Sequence, residues 1–147
     1  MRKFYYLALI ALVGIAFSSC TPTNTPEFRL SDLQGLWQEN NTEHYVRFTD
    51  EQSDEKGYFY GLEWNEGEDK YEQDLIDARE ELGHPGNGWF KYDFETNGSL
   101  TEIHLMDNGG AEIPKVYVVS KLTDTVLEYY EKDNKSWSYS FTKIVVK

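Results

Sequence analysis

Aromatic side chains with polar tips are the residues of this chain whose type and spacing best suit ligand binding. Tyr58, Tyr60 and Trp64 fall on one face of an extended segment, while Tyr92 and Tyr139 each lie two residues from a phenylalanine in later segments. Tyrosine and tryptophan combine an apolar ring with a hydrogen-bonding tip. These five residues are therefore predicted to bind a small apolar or amphipathic molecule. The alternative, that the rings simply fill a core, stays open at the level of sequence.

Histidines are the next candidates, because imidazole binds metal ions and transfers protons. His44, His84 and His104 are far apart in the sequence, without the close pairing that often marks a metal site. Glu102 and His104 share one face of a segment whose opposite face is aliphatic. Because the apolar face of a barrel strand is expected to point inward, both side chains are predicted to face solvent. The sequence predicts no metal site.

Catalytic and cofactor-binding motifs are missing from the sequence. It contains no Gly-x-Ser-x-Gly motif, no phosphate-binding glycine loop and no cysteine besides Cys20. The glycines within 83–88 flank a proline and indicate a turn. The acidic segment 63–69 offers oxygen ligands, but not at the spacing of a calcium-binding loop. We therefore predict neither enzymatic activity nor a bound cofactor.

Short alternating or aromatic-rich runs, separated by turn residues, predict the elements that position these side chains. The predicted strands cover residues 36–41, 43–50, 56–64, 88–95, 99–107, 114–122, 125–132 and 135–146. Asn97-Gly98 and Asp133-Asn134 are typical of tight hairpins, because these residues tolerate positive φ. Eight short strands joined in this way predict an all-β antiparallel meander, which closes as a barrel or packs as a sandwich.

Residues 69–82 break the strand pattern and predict one amphipathic helix between the third and fourth strands. Gly83 and Pro85 follow it as stop signals. Its apolar stripe comprises Tyr71, Leu75, Ala78 and Leu82. This stripe is expected either to lie against the barrel wall or to cap the barrel mouth as a lid.

The charge balance excludes one broad class of partner. The chain has 147 residues, with 14 Lys and Arg against 26 Asp and Glu, and a formal net charge of −12. A nucleic-acid binder needs a basic face to neutralise phosphates, so no nucleic-acid partner is predicted. The length suits a single domain, and one cysteine excludes a disulfide scaffold.

The N-terminal segment has the features of an export signal. Arg2 and Lys3 precede an uncharged, mostly apolar run at 4–17, which as a helix would rise only about 21 Å, too short to cross a membrane. A basic start, a short apolar run and then small residues are typical of a secretory signal peptide.

The end of this signal, Ser18-Ser19-Cys20, resembles that of bacterial lipoproteins. The resemblance implies cleavage before Cys20, lipidation of Cys20, including palmitate, and anchoring to a membrane. The predicted organisation is a signal peptide at 1–19, a lipidated cysteine and flexible tether at 20–29, and a folded domain at 30–147. The tether has no acidic residue before Glu27, which by the same resemblance favours the periplasmic side of the outer membrane over the cell surface.

The start of the folded domain carries a second resemblance. Gly35 and Trp37 follow a short predicted turn, as in the Gly-x-Trp opening of lipocalins and related calycins, and Lys143 ends the last predicted strand. The domain resembles the small lipocalin-like lipoproteins of Bacteroidetes-type bacteria. The resemblance implies an eight-stranded barrel in which Trp37 closes the base and Lys143 packs on its ring, through a cation–π contact.

Two functions remain open from the sequence. The first is binding of a small apolar or amphipathic ligand inside the aromatic-lined barrel. The second is a protein-interaction module whose acidic surface captures a basic protein, such as an envelope hydrolase that it would inhibit. An open lumen favours the first function, and a packed lumen beside an acidic patch favours the second.

Overall fold

The computed structural model of the chain describes residues 27–68, 71–83, 86–105 and 112–145. The predicted signal peptide, Cys20 and His84 lie outside the described residues. Within these ranges, no helix is long and apolar enough to span a membrane.

Eight antiparallel strands form a closed barrel. They are β1 (Gly35–Glu39), β2 (His44–Gln52), β3 (Phe59–Asn65), β4 (Trp89–Phe94), β5 (Ser99–His104), β6 (Ile113–Leu122), β7 (Val126–Glu131) and β8 (Asn134–Ile144). Each strand pairs with the next, and β8 pairs with β1. A short helix α1 (Leu30–Leu33) precedes β1, and α2 (Glu72–Leu82) lies between β3 and β4. The predicted eight-stranded meander barrel with one inserted helix is confirmed, and the sandwich alternative is wrong.

One end of the barrel interior is filled by large apolar side chains, which we call the barrel base. Its members, each less than 2% exposed, are Leu33, Trp37, Phe48, Phe90, Tyr92, Leu100, Leu127 and Phe141. An eight-stranded barrel has an interior just wide enough for side chains to fill. The base therefore serves as the hydrophobic core of the domain.

Trp37 and Lys143 meet at the base as the resemblance implied. They are paired across β1 and β8, and the Lys143 ammonium lies 5.0 Å from the centre of the Trp37 ring. That ammonium donates to the carbonyl oxygen of Asp32 at 3.0 Å, and the Trp37 indole N–H donates to that of Leu33 at 2.7 Å. These bonds tie α1 across the end of the barrel. Gly35 leaves room for this arrangement, because a Cβ there would lie 2.9 Å from the Lys143 side chain.

Replacing Lys143 with methionine should lower the free energy of unfolding by about 1–2 kcal/mol. The variant keeps the apolar stem but loses the cation–π contact and the charged hydrogen bond. Urea denaturation measures the loss, with Lys121→Met, at an exposed position, as the control. Equal stability of the two variants would contradict a structural role for the ammonium.

Helix α2 covers a second apolar cluster on the outside of the barrel. This outer cluster consists of buried Leu62, Trp64, Leu75 and Trp89. The Trp89 indole N–H donates to the Leu75 carbonyl oxygen at 2.9 Å, and α2 ends at Gly83, whose φ is +73°. The predicted stripe is correct for Leu75, whereas Tyr71 and Leu82 are 48% and 52% exposed because they lie just before and at the end of the helix.

The folded part of the chain includes Phe28, which falls within the predicted tether. Its backbone N–H donates to the Thr96 carbonyl oxygen at 2.8 Å, and its ring centre lies 6.5 Å from that of Phe94. Phe28 therefore packs against the β4–β5 end of the barrel.

Candidate functional site

Two of the predicted ligand-binding residues lie on the outer surface of the barrel, not in its lumen. Trp64 belongs to the outer cluster and stacks on Tyr45 at 5.5 Å. Tyr60 contacts the Trp89 ring at 6.1 Å and lies under the Arg79 guanidinium at 4.8 Å. The prediction chose the wrong face of β3, because α2 covers its more apolar side from outside.

The other three predicted residues have different positions. Tyr58 precedes β3, in the turn after β2, and lies outside the barrel ladder. Tyr92 is fully buried in the base, where its hydroxyl donates to the Thr49 carbonyl oxygen and accepts from the Gln34 amide at 3.3 Å. Burial raises the pKa of this phenol. Of the five residues, only Tyr139 lies in the part of the lumen beyond the base. The structure therefore does not bring the five residues together.

The end of the lumen opposite the base, the barrel mouth, is lined by alternating carboxylates and imidazoles. This mouth cluster is a chain of hydrogen-bonding partners, in the order Glu39, His44, Glu63, His104 and Glu102. The successive N···O distances are 3.0, 3.2, 3.4 and 3.3 Å. The members come from β1, β2, β3 and β5, whose ends meet at this end of the barrel.

The prediction that Glu102 and His104 face solvent is wrong. Glu102 is only 4% exposed, and the His104 ring centre lies 5.4 Å from that of Phe90 in the lumen. Register explains the placement, because the lumen-facing residues Phe90 and Tyr92 pair directly with His104 and Glu102. The aliphatic face of β5 instead points outward.

The pKa values within the mouth cluster are shifted in opposite directions. Burial alone would raise the pKa of Glu63, but hydrogen bonds from His104 and His44 lower it to about 2. Burial alone would lower the pKa of His104, but its bonds to Glu102 and Glu63 raise it to about 9. The pKa of Glu102 is raised, chiefly by burial and against the opposing effect of His104. Glu63 and His104 therefore form an ion pair at neutral pH.

This ion pair should make stability depend on pH. The pKa of His104 rises on folding from 6.5 to about 9. Its contribution to the free energy of unfolding is therefore fully present below pH 6.5 and is lost as pH rises through 9. Glu63 adds stability above pH 4.5 that is lost as pH falls through about 2. Urea denaturation between pH 6.5 and 9 measures the first effect. The free energy of unfolding should fall less steeply with pH in His104→Gln than in the wild type. An unchanged slope would contradict the raised pKa of His104 as the cause of the pH dependence.

Three tyrosines, the tyrosine trio, lie next to the mouth cluster. The ring centres of Tyr117, Tyr129 and Tyr139 are 4.8 to 6.2 Å apart. Tyr129 also contacts Phe141 of the base at 5.2 Å. Tyr117 and Tyr129 therefore belong to the same buried core as the base, and Tyr139 packs against it. Sequence reasoning identified Tyr139 alone; alternation on β7 could have added Tyr129 through its lumen-facing neighbour Leu127.

A groove of about 370 Å³ lies outside the barrel, between α2 and strands β2 to β4. Arg47 pairs with Glu72 across it, and Arg79 pairs with Glu51. Arg79 also lies 4.9 Å from the Trp89 ring. These side chains hold α2 on the barrel, so the groove is a helix-packing interface.

The mouth offers carboxylate acceptors, imidazoles that donate or accept, and phenol hydroxyls beside aromatic rings. Such groups can orient a small polar or amphipathic molecule. Within the described ranges, no group of three or more His, Cys, Asp or Glu side chains is placed to hold a metal ion. Compared with known proteins, the chain matches no family model, no curated protein and no solved structure.

Proposed function

We propose that this chain is a non-catalytic, lipid-anchored protein of the bacterial cell envelope whose lipocalin-like barrel binds a small amphipathic molecule at its mouth. The observation that carries the proposal is the division of the barrel interior. Its base is closed by fully buried apolar side chains, while its mouth is lined by ionisable side chains that remain 22–33% exposed, with the buried Glu102 below them.

Because of this division, the site that we propose is nearer the mouth of the barrel than the one predicted from the aromatic pattern. Trp37, Phe48 and Tyr92 occupy the space that a long apolar ligand would need. The remaining surface combines the tyrosine trio with the mouth cluster. It suits a compact ligand that carries a polar group. A purely apolar ligand would remove the ionisable side chains of the mouth from water without replacing their hydrogen bonds to water.

The proposed anchor is tested by lipid labelling. Cells grown with labelled palmitate should incorporate label into the wild-type protein but not into Cys20→Ser, since the thiol is the proposed attachment point. Thr23→Ser, which leaves both Ser18-Ser19-Cys20 and the apolar run unchanged, serves as the control. Label retained in Cys20→Ser would overturn the anchor. Protease shaving of intact cells tests the side of the membrane, and digestion of the domain there would place it on the cell surface instead of the periplasmic side.

Native mass spectrometry tests the proposed binding function. The full chain, purified in mild detergent from its own host, should carry a reproducible extra mass that dissociates on denaturation. Glu63→Gln, within the mouth cluster, should lose the adduct, whereas Glu55→Gln, on the outer surface beside Lys91, should keep it. A bare mass in the wild type would count against ligand binding.

The filled base favours one second function, the capture of a basic protein. A closed lumen leaves side chains at the mouth as the contact surface, and the chain is strongly acidic. A lysine or arginine of a partner would occupy the position proposed for the ligand. A bare mass together with salt-sensitive co-purification of one basic protein would support this function.

A further inference from the structure

Phe28, at the start of the described chain, is fixed to the base end of the barrel, opposite the mouth. Its backbone N–H donates to the Thr96 carbonyl oxygen in the β4–β5 turn, and its ring packs against the hydrophobic core. Helix α1 then crosses the base, where the Trp37 indole N–H donates to the Leu33 carbonyl oxygen. The chain that comes from Cys20 therefore reaches the barrel at its base end.

The number of residues before Phe28 limits how far the base end can lie from Cys20. From Cys20 to Phe28 the chain advances by eight residues. Fully extended, eight residues span at most about 26–29 Å. The acyl chains proposed on Cys20 would hold that residue at the surface of a membrane. The base end would then stay within about 29 Å of the surface, whatever the path of the tether.

The barrel is nearly as tall as this stretch of chain is long. Strand β8 runs from the mouth to the base and has 11 residues. At a rise of about 3.3 Å per residue and a tilt of about 40°, its ends lie about 25 Å apart along the barrel axis. A barrel whose mouth faced the membrane would therefore hold Phe28 at least about that far above the surface. The tether would have to be almost straight, which costs conformational entropy, whereas the opposite orientation sets no such requirement.

The surface charge of the base end does not favour contact with a membrane. The described turns and N-terminal residues at this end carry more exposed acidic than basic side chains: Glu27, Asp54, Glu55, Glu95 and Asp124 against Arg29 and Lys56. Membrane surfaces that contain anionic lipids attract basic segments instead. The point where the tether joins the barrel, and not attraction to lipid, therefore sets the orientation.

We infer that the tether holds the barrel with its base toward the membrane that carries the anchor and with its mouth toward water. The inference rests on the lipid anchor of the proposed function, and it applies on either side of the outer membrane. A ligand then enters the mouth from the aqueous compartment, so its class is a water-borne amphipathic molecule and not a lipid of the anchoring membrane. A basic protein partner would meet the mouth from the same side.

Energy transfer from labels at the two ends of β7 to a dye in the membrane tests the orientation. Cys20 is the only cysteine of the chain, so a thiol introduced elsewhere is labelled alone once Cys20 is lipidated. Asp124→Cys places the label in the exposed turn before β7, at the base end, and Asp133→Cys places it in the exposed turn after β7, at the mouth end. Glu95→Cys and Glu43→Cys repeat the comparison in other exposed turns of the base and mouth ends.

Each labelled protein, lipidated in its host and purified in mild detergent, is inserted into preformed vesicles of phosphatidylethanolamine and phosphatidylglycerol with an acceptor dye on some headgroups. Transfer should be greater from Asp124→Cys than from Asp133→Cys, because the first label should lie nearer the membrane by about 25 Å, the height of the barrel. Inserting about 20 Gly and Ser residues after Thr25 should reduce this difference, since a longer tether permits both orientations.

Equal transfer from the two labels, or greater transfer from Asp133→Cys, in protein that carries lipid would overturn the orientation and leave the anchor in place. A difference that persists in the lengthened chain would overturn the tether as its cause. Mass spectrometry of the intact protein shows separately whether Cys20 carries acyl chains, and an unmodified Cys20 would overturn the anchor and this inference together. The adduct sought by native mass spectrometry tests ligand binding independently of both.

Discussion

Replacing Trp37 with alanine is expected to lower the free energy of unfolding by about 3–5 kcal/mol. The side chain is fully buried in the barrel base, hydrogen-bonded to Leu33 and covered by the Lys143 ammonium. Its loss would open a cavity and remove one of the hydrogen bonds that tie α1 to the barrel. Since domains are usually stable by only about 5–15 kcal/mol, the variant should unfold at much lower urea concentration, as measured by circular dichroism.

Two further variants show which property of Trp37 matters. Trp37→Phe keeps a ring but loses the indole N–H, so it should lose less stability than Trp37→Ala. Trp137→Ala is the matched control, because Trp137 is 58% exposed and its loss should cost no more than about 0.5 kcal/mol. Similar unfolding curves for Trp37→Ala and Trp137→Ala would contradict the role of Trp37 in closing the barrel.

Replacing Gly61 with alanine should cost about 1–3 kcal/mol, although the added group is a single methyl. Gly61 faces the lumen on β3, and a Cβ there would lie 2.3 Å from the Phe90 ring. Alanine also restricts the unfolded chain, which favours folding by about 0.4–1 kcal/mol. The clash exceeds this gain because Phe90 is packed on all sides. Urea denaturation again measures the change.

A second-site change tests whether Phe90 causes this loss. In Gly61→Ala/Phe90→Leu the smaller side chain makes room for the new methyl, so the double variant should be more stable than the two separate losses predict. Gly67→Ala serves as the control, because among the described residues its Cβ would meet only the Glu43 carboxylate, at 3.3 Å. Strictly additive losses would locate the strain elsewhere.

The strand order of this barrel could be predicted from the sequence because turn chemistry and alternation are local signals. Asn97-Gly98 marks the β4–β5 turn, where Gly98 adopts a φ of +99°. The Trp37–Lys143 contact was predicted only through the resemblance to lipocalins, since nothing local joins residues so far apart. The structure bears out both.

The candidate site was predicted poorly because the more apolar face of a strand is not always the inner one. One face of β3 carries Tyr60, Leu62 and Trp64, and the other carries Phe59, Gly61, Glu63 and Asn65. Hydrophobicity favours the first face, which is the outer one. The register of neighbouring strands decides the matter, through the pairing of Val46 with Glu63. On this strand the apolar face packs under α2 outside the barrel, and Glu63 joins the mouth cluster inside it. The expectation that the more apolar face points inward therefore fails.

The pairing of β1 with β8 limits how another protein can bind. In an open sheet the outermost strands present unpaired amide and carbonyl groups, to which a peptide or a second copy can add as a further strand. Within the described strands the ladder is continuous around the barrel, so this sequence-independent mode of association is blocked. Recognition must therefore depend on side chains and loops, which can change while the hydrogen-bonded framework stays the same.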